Sequence, residues 1–371
     1  MLEQSESLLE PETQSCQDML LDFYEQYQDQ DGKVTLPKGE KLRFFCENAI
    51  INKVALHLGV EKEEIVSLQI TFYNPTRPIT TKDGKQILAR VELRDKESSI
   101  ILSFSDKDND GEYEIVDDAP VFEMQDPFYC GPLEDKDGRS WQIFGGVKIT
   151  SWNNEGKATN YQTEFYKFQD NIKELSENQD LSLVASCPQN KDIRLIQLTS
   201  GKIGVFTRPQ SADINGFGGR GKIAYFEIDN LDQLQAALND HMANQEMDEI
   251  IQGICIDSDW CGANELHLLD DGRIGVLGHI AMMEPDHQGG PPQKSYYAMA
   301  FIFDPISKRA TKPKIIATME QFDDVLPKKA DLKSVVFSGG LVRNFGGAAW
   351  LYLGLGDTEA GRILINDPFI D

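Results

Sequence analysis

Residues 87–116 read ILARVELRDKESSIILSFSDKDNDGEYEIV, and three strands are visible in that stretch. Ile87–Leu93, Ser98–Phe104 and Tyr113–Val116 are short runs rich in Ile, Val, Phe and Tyr. The polar breaks between them are too brief to hold a helix. Within the first run, Arg90, Glu92 and Arg94 fall on one strand face while Val91 and Leu93 fall on the other. Three ionisable groups side by side cannot enter an apolar core without partners. That face is either solvated or part of a polar cleft, and the Asn74-Pro75 and Asp126-Pro127 corners favour the cleft.

The same pattern extends in both directions. Leu42–Ile51 and Ser67–Tyr73 precede the stretch; Trp141–Ile149, Tyr161–Phe168, Ile203–Thr207, Ile274–Ile280, Tyr296–Phe303 and Ala348–Leu353 are among the runs that follow. Turn pairs such as Asp83-Gly84, Asp137-Gly138, Ser200-Gly201 and Asp271-Gly272 punctuate them. The tally is about 19 strands. One internal segment reads helical, Asn230–Met247, with Asn230 as its N-cap. A second helix begins at Ser15–Asp18, with Met19, Leu20, Phe23 and Tyr27 near helical spacing, and is expected to pack on the main body.

Strands without intervening helices exclude a parallel α/β sheet. Two sandwiches of about nine strands would fit the tally, but no Pro/Ser linker divides the strand region. Five four-stranded blades need about 20 strands and protect their edges by closure. The expected architecture is therefore an all-β, five-bladed β-propeller over residues 42–371, preceded by a partly helical extension over 1–41.

Composition narrows the function. The 36 basic and 61 acidic residues give a net charge of −25. Such a surface repels phosphate backbones and anionic lipid, which argues against nucleic-acid and membrane partners. No apolar run reaches the roughly 20 residues of a membrane span, and the start lacks a basic, then apolar, leader, so a cytoplasmic protein is expected. Six cysteines without C-x-x-C spacing and five histidines without H-E-x-x-H give no metal or cofactor signature; reduced thiols are expected. Asp106-x-Asp-x-Asp-Gly111 begins like a calcium loop but lies between strands, where an acidic turn is the default. Asn215–Gly221 contains G-x-G-G-x-G with no helix after it, so it reads as a loop over a site or a plain connection.

In chain order, Asn74-Pro75, Arg90-Val-Glu92, Ser98-Ser99, Asp126-Pro127, Arg208-Pro209, Gly278-His279, Phe303-Asp304-Pro305 and Leu353-Gly-x-Gly-Asp357 make up a set. That set resembles the five-bladed propellers of the β-mannoside phosphorylase and hydrolase family. Most similar are the MTP-type propellers, which share Arg-Val-Glu-x-Arg-Asp, ending here at Asp95, and Gln-Asp-Pro-Phe. The resemblance covers about residues 65–370 and extends to furanosidase-like glycosidase propellers. It implies that Asp126 is a general acid, that Arg208 and His279 hold phosphate or the sugar beside it, and that Asn74, Arg90, Asp95 and Asp357 line a sugar subsite. Three positions depart from the phosphorylase pattern: Gln125 and Phe128 replace Glu and Arg around Asp-Pro, and Thr207 replaces His before Arg-Pro.

Glycoside cleavage requires a carboxylic acid to protonate the leaving oxygen and usually a second carboxylate. Asp126, Glu164 and Glu265 lie beside aromatic residues able to stack on a sugar, of which Tyr161, Tyr166 and Trp260 are nearest. These make the candidate catalytic set, with Tyr161 and Trp260 added to the sugar-binding residues. Burial beside Phe128 and Tyr129 is expected to raise the Asp126 pKa. The leading reading is an inverting glycoside hydrolase acting on a small carbohydrate, without a cofactor. The alternatives are a phosphorylase, with phosphate as second ligand, and a sugar-binding or scaffold propeller without catalysis.

Overall fold

The computed structural model describes residues 13–45, 48–67, 69–94, 96–106, 110–176, 182–210, 220–243, 249–284, 292–344 and 346–370. The fold is mostly β, with twenty-three strands among the described residues. The first sheet is ordered β2–β7–β6–β5–β3: β2 (Arg43–Phe44), β3 (Ile70–Tyr73), β5 (Gly84–Leu93), β6 (Ser99–Ser105) and β7 (Glu112–Ile115), with β4 (Ile79–Thr81) also on β5. A second sheet holds β8 (Gln125–Glu134), β9 (Ser140–Trp152), β10 (Ala158–Phe168) and β11 (Leu183–Pro188) as consecutive antiparallel neighbours. The third repeats that order with β12 (Arg194–Gln197), β13 (Ile203–Thr207), β14 (Ala224–Ile228) and β15 (Glu249–Ile250).

A nine-stranded sheet completes the set. One half is β16 (Trp260–Leu268), β17 (Ile274–Glu284) and β18 (Gln293–Asp304), the last flanked by β19 (Arg309–Ala310) and β20 (Lys314–Ala317). The other is β21 (Ser334–Arg343), β22 (Ala348–Leu355) and β23 (Glu359–Asn366), joined to β18 only by the parallel pairs Ser295–Ser334 and Tyr296–Val335. The chain start fastens the chain end: β1 (Glu40–Lys41) pairs antiparallel with β23, supported by the Glu40–Arg362 ion pair, and β2 then joins β7.

Apolar clusters fill the space between successive strand groups. Leu88 and Ile101 meet Phe144 and Phe168; Phe128 and Phe165 meet Leu195 and Val205; Phe206 and Tyr225 meet Val276 and Phe303. Leu277 and Ala300 meet Leu351 and Ile363, while Val91 and Phe104 of the first sheet meet Tyr352 and Ala360 of the last group. The last contact brings the two ends of the strand series together.

Helix α1 (Cys16–Glu25) starts at a capping box, with Ser15 Oγ accepting from Asp18 N and Asp18 Oδ2 from Ser15 N. Cys16, Met19, Leu20 and Phe23 are buried in the same cluster as Phe206 and Phe303, so the N-terminal helix packs as its periodicity indicates. Two local expectations are corrected, and one strand missing from the sequence reading is found. Leu42–Ile51 is not a strand: beyond β2 it enters α2 (Asn48–Leu58), followed by α3 (Lys62–Ser67). Ile50, Val54 and Leu58 recur every four residues and place one helical face on the first sheet. Conversely, Gln125–Glu134 is strand β8 although Pro127 and Pro132 hide it, because a strand paired on one side, with bulges, tolerates proline. The helix read from Asn230 begins later, with α4 described over Leu234–Ala243; Asn230 precedes a 3-10 turn without a side-chain cap bond, and 244–247 lie outside the described residues.

Candidate active site

Asn74, at the end of β3, and Asp126, at the start of β8, meet across two sheets. Asn74 Nδ2 donates to Asp126 Oδ1 at 2.8 Å, and Arg90 Nη1 donates to the same oxygen at 3.0 Å. The other arm of Arg90 reaches Glu92 Oε2 at 2.9 Å, and Lys328 Nζ holds Glu92 Oε1 at 2.7 Å. Arg90 and Glu92 are buried, so this strand face is the polar cleft and not a solvated edge. Gly354 is required here: a Cβ on it would stand 1.8 Å from Asn74 Oδ1.

Asp126 sits in a bulge of β8, where the register with β9 shifts between Gln125 and Phe128, and its own φ is 50°. Burial pushes its carboxyl up, but Arg90, Lys191 and the Asn74 amide outweigh burial and hold it below the usual range. The expected rise is therefore corrected: burial does act upward on the carboxyl, but the Arg90 guanidinium and its other partners outweigh it. Asp357 behaves in the opposite way. Burial pushes it up to about 6; Arg90 pulls back, and the negative charges of Asp126 and Glu92 add to burial. Two carboxyl groups in one field thus have pKa values driven apart.

A second set faces this pair. Arg208 Nη1 donates to Asp192 Oδ2 at 2.8 Å and Arg208 Nε to the Cys261 carbonyl at 3.1 Å. Although burial opposes it, Arg208, His279, Arg194 and Lys191 together bring the Asp192 carboxyl down to about 2. His279 is buried and its imidazole pKa falls to about 3, chiefly through burial, so the ring is neutral. Asn264 Nδ2 donates to Ser338 O at 2.7 Å, which leaves Asn264 Oδ1 to accept from His279 Nδ1 at 2.9 Å. His279 Nε2 is then a buried acceptor without a hydrogen-bond partner. A Cβ on Gly262 would lie 2.9 Å from Asp192 Oδ2 and 3.2 Å from His279 Nε2, so glycine permits the close approach of strand, carboxylate and ring.

The two sets share one electrostatic field: Lys191 acts on both Asp126 and Asp192, and Tyr296 senses Arg208, Asp192 and Asp357. Tyr161 senses Arg208 and Asp192, and its hydroxyl accepts from Gln210 Nε2 at 2.8 Å. Trp260 Nε1 donates to Tyr296 OH at 2.9 Å. Asn74, Arg90, Asp126, Asp357, Tyr161, Arg208, Trp260 and His279 thus belong to one neighbourhood. Glu265 is buried nearby with both oxygens engaged, by Arg77 Nε at 2.5 Å, His267 Nε2 at 2.9 Å and Leu341 N at 2.6 Å. Glu164 is buried within its own sheet, held by Gln162 at 2.7 Å and Tyr166 at 2.6 Å, with Lys148 at 3.5 Å. Asp95 lies outside the described residues, as do 107–109 of the acidic turn and 215–219 of the glycine-rich run.

Sequence reasoning missed Lys191, Asp192, Arg194, Tyr296 and Lys328. The first three stand in Lys191-Asp-Ile-Arg194, where two charges immediately precede strand β12 and a third opens it; that density was a readable signal. Among the described residues, no group of three or more His, Cys, Asp or Glu side chains is arranged to hold a metal, and no helix is long and apolar enough to cross a membrane.

A mannose phosphorylase from Leishmania mexicana, solved in complex with a phosphate ion, shares 25% identity at a TM-score of 0.71 over 94% of each chain. A GDP-Man-dependent mannosyltransferase from Leishmania mexicana also shares 25% at 0.71, over 95% of this chain and 96% of its own. A hypothetical protein from Leishmania major shares 24% at 0.67, over 94% and 95%. No curated protein matches the chain. The sequence resemblance to MTP-type propellers is thereby upheld. A family model described as "Protein of unknown function (DUF1861)" matches residues 59–371, and the chain belongs to that family.

Proposed function

We propose that residues 42–371 form a five-bladed β-propeller, with 1–41 as its extension, and that its central cleft transfers a glycosyl group between a small glycoside and phosphate. The observation that carries this reading is the pairing of Asp126 and Asp357, oppositely shifted, with a cationic wall at which His279 Nε2 is an open acceptor. Five strand groups in sequence, with clusters between neighbours and between first and last, support the blade count.

In this reading a phosphate oxygen attacks the anomeric carbon from the Arg208 side while the glycosidic C–O bond breaks. The leaving oxygen takes its proton from the Asp126/Asp357 pair, with Asp357, raised to about 6, the member that keeps its proton in mildly acidic solution. Neutral His279 accepts a hydrogen bond from a phosphate O–H, and the anion shares Arg208 with Asp192. Phe128, standing where the phosphorylases carry arginine, supports a guanidinium from another strand: Arg194 lies 3.9 Å from its ring centroid. Glu265 and Glu164 hold strands in place, since their oxygens are occupied. The full-length likeness to a mannose phosphorylase makes mannosides the first substrates to test.

The experiment is a screen of mannosides and aryl-glycosides with and without phosphate, reading sugar 1-phosphate and free sugar separately. Phosphate-dependent sugar 1-phosphate is expected, lost about 10²–10⁴-fold in Asp357→Asn, which removes the proton donor. Free sugar independent of phosphate would establish the hydrolase. Sugar binding without turnover would leave the non-catalytic propeller, which the occupied carboxylates Glu164 and Glu265 favour.

A further inference from the structure

Five residues separate Cys255 from Cys261, yet their sulfurs lie 2.7 Å from each other. Cys255 lies in the irregular segment leading into β16 and is half-buried; Cys261 is the second residue of that strand and is buried. Both line a cavity of about 410 Å³ with Lys222, Gln252, Gly253 and Asp257. The Lys222 ammonium is 3.6 Å from Cys255 Sγ and is kept there by backbone carbonyls, Ile256 O at 2.5 Å and Asp259 O at 3.1 Å. A cation fixed beside one thiol, a second thiol in contact, and an opening to the surface are the three parts of a reactive dithiol.

We propose that Cys255 and Cys261 are an oxidation site, at which a hydroperoxide is reduced by Cys255 and the product is resolved by Cys261 as a disulfide. The Cys255 thiolate attacks one peroxide oxygen; the O–O bond breaks, and the departing oxygen leaves as water after taking a proton. Cys255 is then a sulfenic acid. The Cys261 sulfur attacks the Cys255 sulfur, the S–O bond breaks, an S–S bond forms and a second water leaves. Two thiols and one hydrogen peroxide become one disulfide and two waters.

The asymmetry of the pair assigns the roles. The hydrogen bond from Cys261 and the Lys222 charge outweigh burial and hold the Cys255 thiol below its ordinary range; burial and its neighbour push Cys261 up. Cys16, the third thiol near by, is raised mainly by burial, so it is a poor competitor. The site adjoins the candidate active site through Cys261, whose carbonyl accepts from Arg208 Nε. It does not depend on the glycosyl-transfer reading, because its chemistry is read on sulfur alone.

The test is a hydrogen peroxide titration of the full chain, followed by intact mass and peptide mapping under non-reducing conditions. The expected product is a Cys255–Cys261 linkage, a loss of about two mass units, reversed by dithiothreitol. Cys261→Ser should accumulate a sulfenic acid at Cys255 that dimedone traps, while Cys255→Ser should yield neither linkage nor trapped adduct. Thermal melting of both variants checks folding. Free thiols at both positions after peroxide has oxidised exposed methionines, or a linkage that uses Cys16 instead, would overturn the proposal.

Discussion

Asn74, Asp126, Asp192 and Asp357 all hold a left-handed backbone, with φ of 47°, 50°, 59° and 56°. Asn and Asp tolerate that region best among residues with a Cβ, and at each position the turn aims a short polar side chain at the cleft. Their charges make pH the natural probe. Asp357, with a pKa of about 6, holds its proton below that value, so a donor role predicts kcat/KM falling about tenfold per pH unit above it. Asp357→Asn should abolish that limb. Stability has its own pH signature. His279 has a folded pKa of about 3 against an ordinary 6.5, so the unfolded chain binds a proton that the folded chain refuses. Stability therefore falls as pH drops through 6.5 and continues to fall until about 3. Asp192, depressed to about 2 from 3.8, stabilises above pH 4 and loses that contribution between 4 and 2. Denaturant midpoints for wild type and His279→Gln across this range should differ in slope between pH 6.5 and 3.

At the scale of the element, three of the strands that lead a group are irregular where they meet the cleft. β8 bulges at Asp126-Pro127, β16 between Ala263 and Glu265, and β21 between Ser338 and Gly340. A bulge re-aims side chains that regular alternation would send to opposite faces. The displaced Asn264 thereby reaches Ser338 and His279, and Glu265 clamps β16 to β21 by accepting from Leu341 N. Glu265→Gln leaves the Arg77 charge without its counter-ion. The expected loss is about 1–3 kcal/mol of stability, read as a lower denaturant midpoint at unchanged m-value. Glu164→Gln keeps hydrogen-bonding capacity toward its neighbours and should leave turnover nearly unchanged.

For the whole molecule, helix α1 is part of the core and not an appendage. Phe23 is 1% exposed and packs with Tyr24 and Tyr27 in the cluster that includes Phe206 and Phe303. Phe23→Ala should cost about 3–5 kcal/mol, measured by chemical denaturation; an independent arm would show no change. The strand-rich character was legible because alternation and Asp-Gly turns are local: Ile87–Leu93 and Ser98–Phe104 are found as β5 and β6 almost residue for residue. The helix over Asn48–Leu58 was misread, because a short apolar run fits either period until its packing partner is known. By itself the sequence determined an acidic β protein with Asn-Pro and Asp-Pro corners and a strand whose Arg90 and Glu92 share one face, either solvated or a polar cleft. Only tertiary structure decided that Asp126 is ionised and Asp357 is raised, that Arg194 stacks on Phe128, and that Cys255 meets Cys261. Each of those depends on which groups from distant strands share one low-dielectric space, and the electrostatic balance there is set by distances that chain order does not encode.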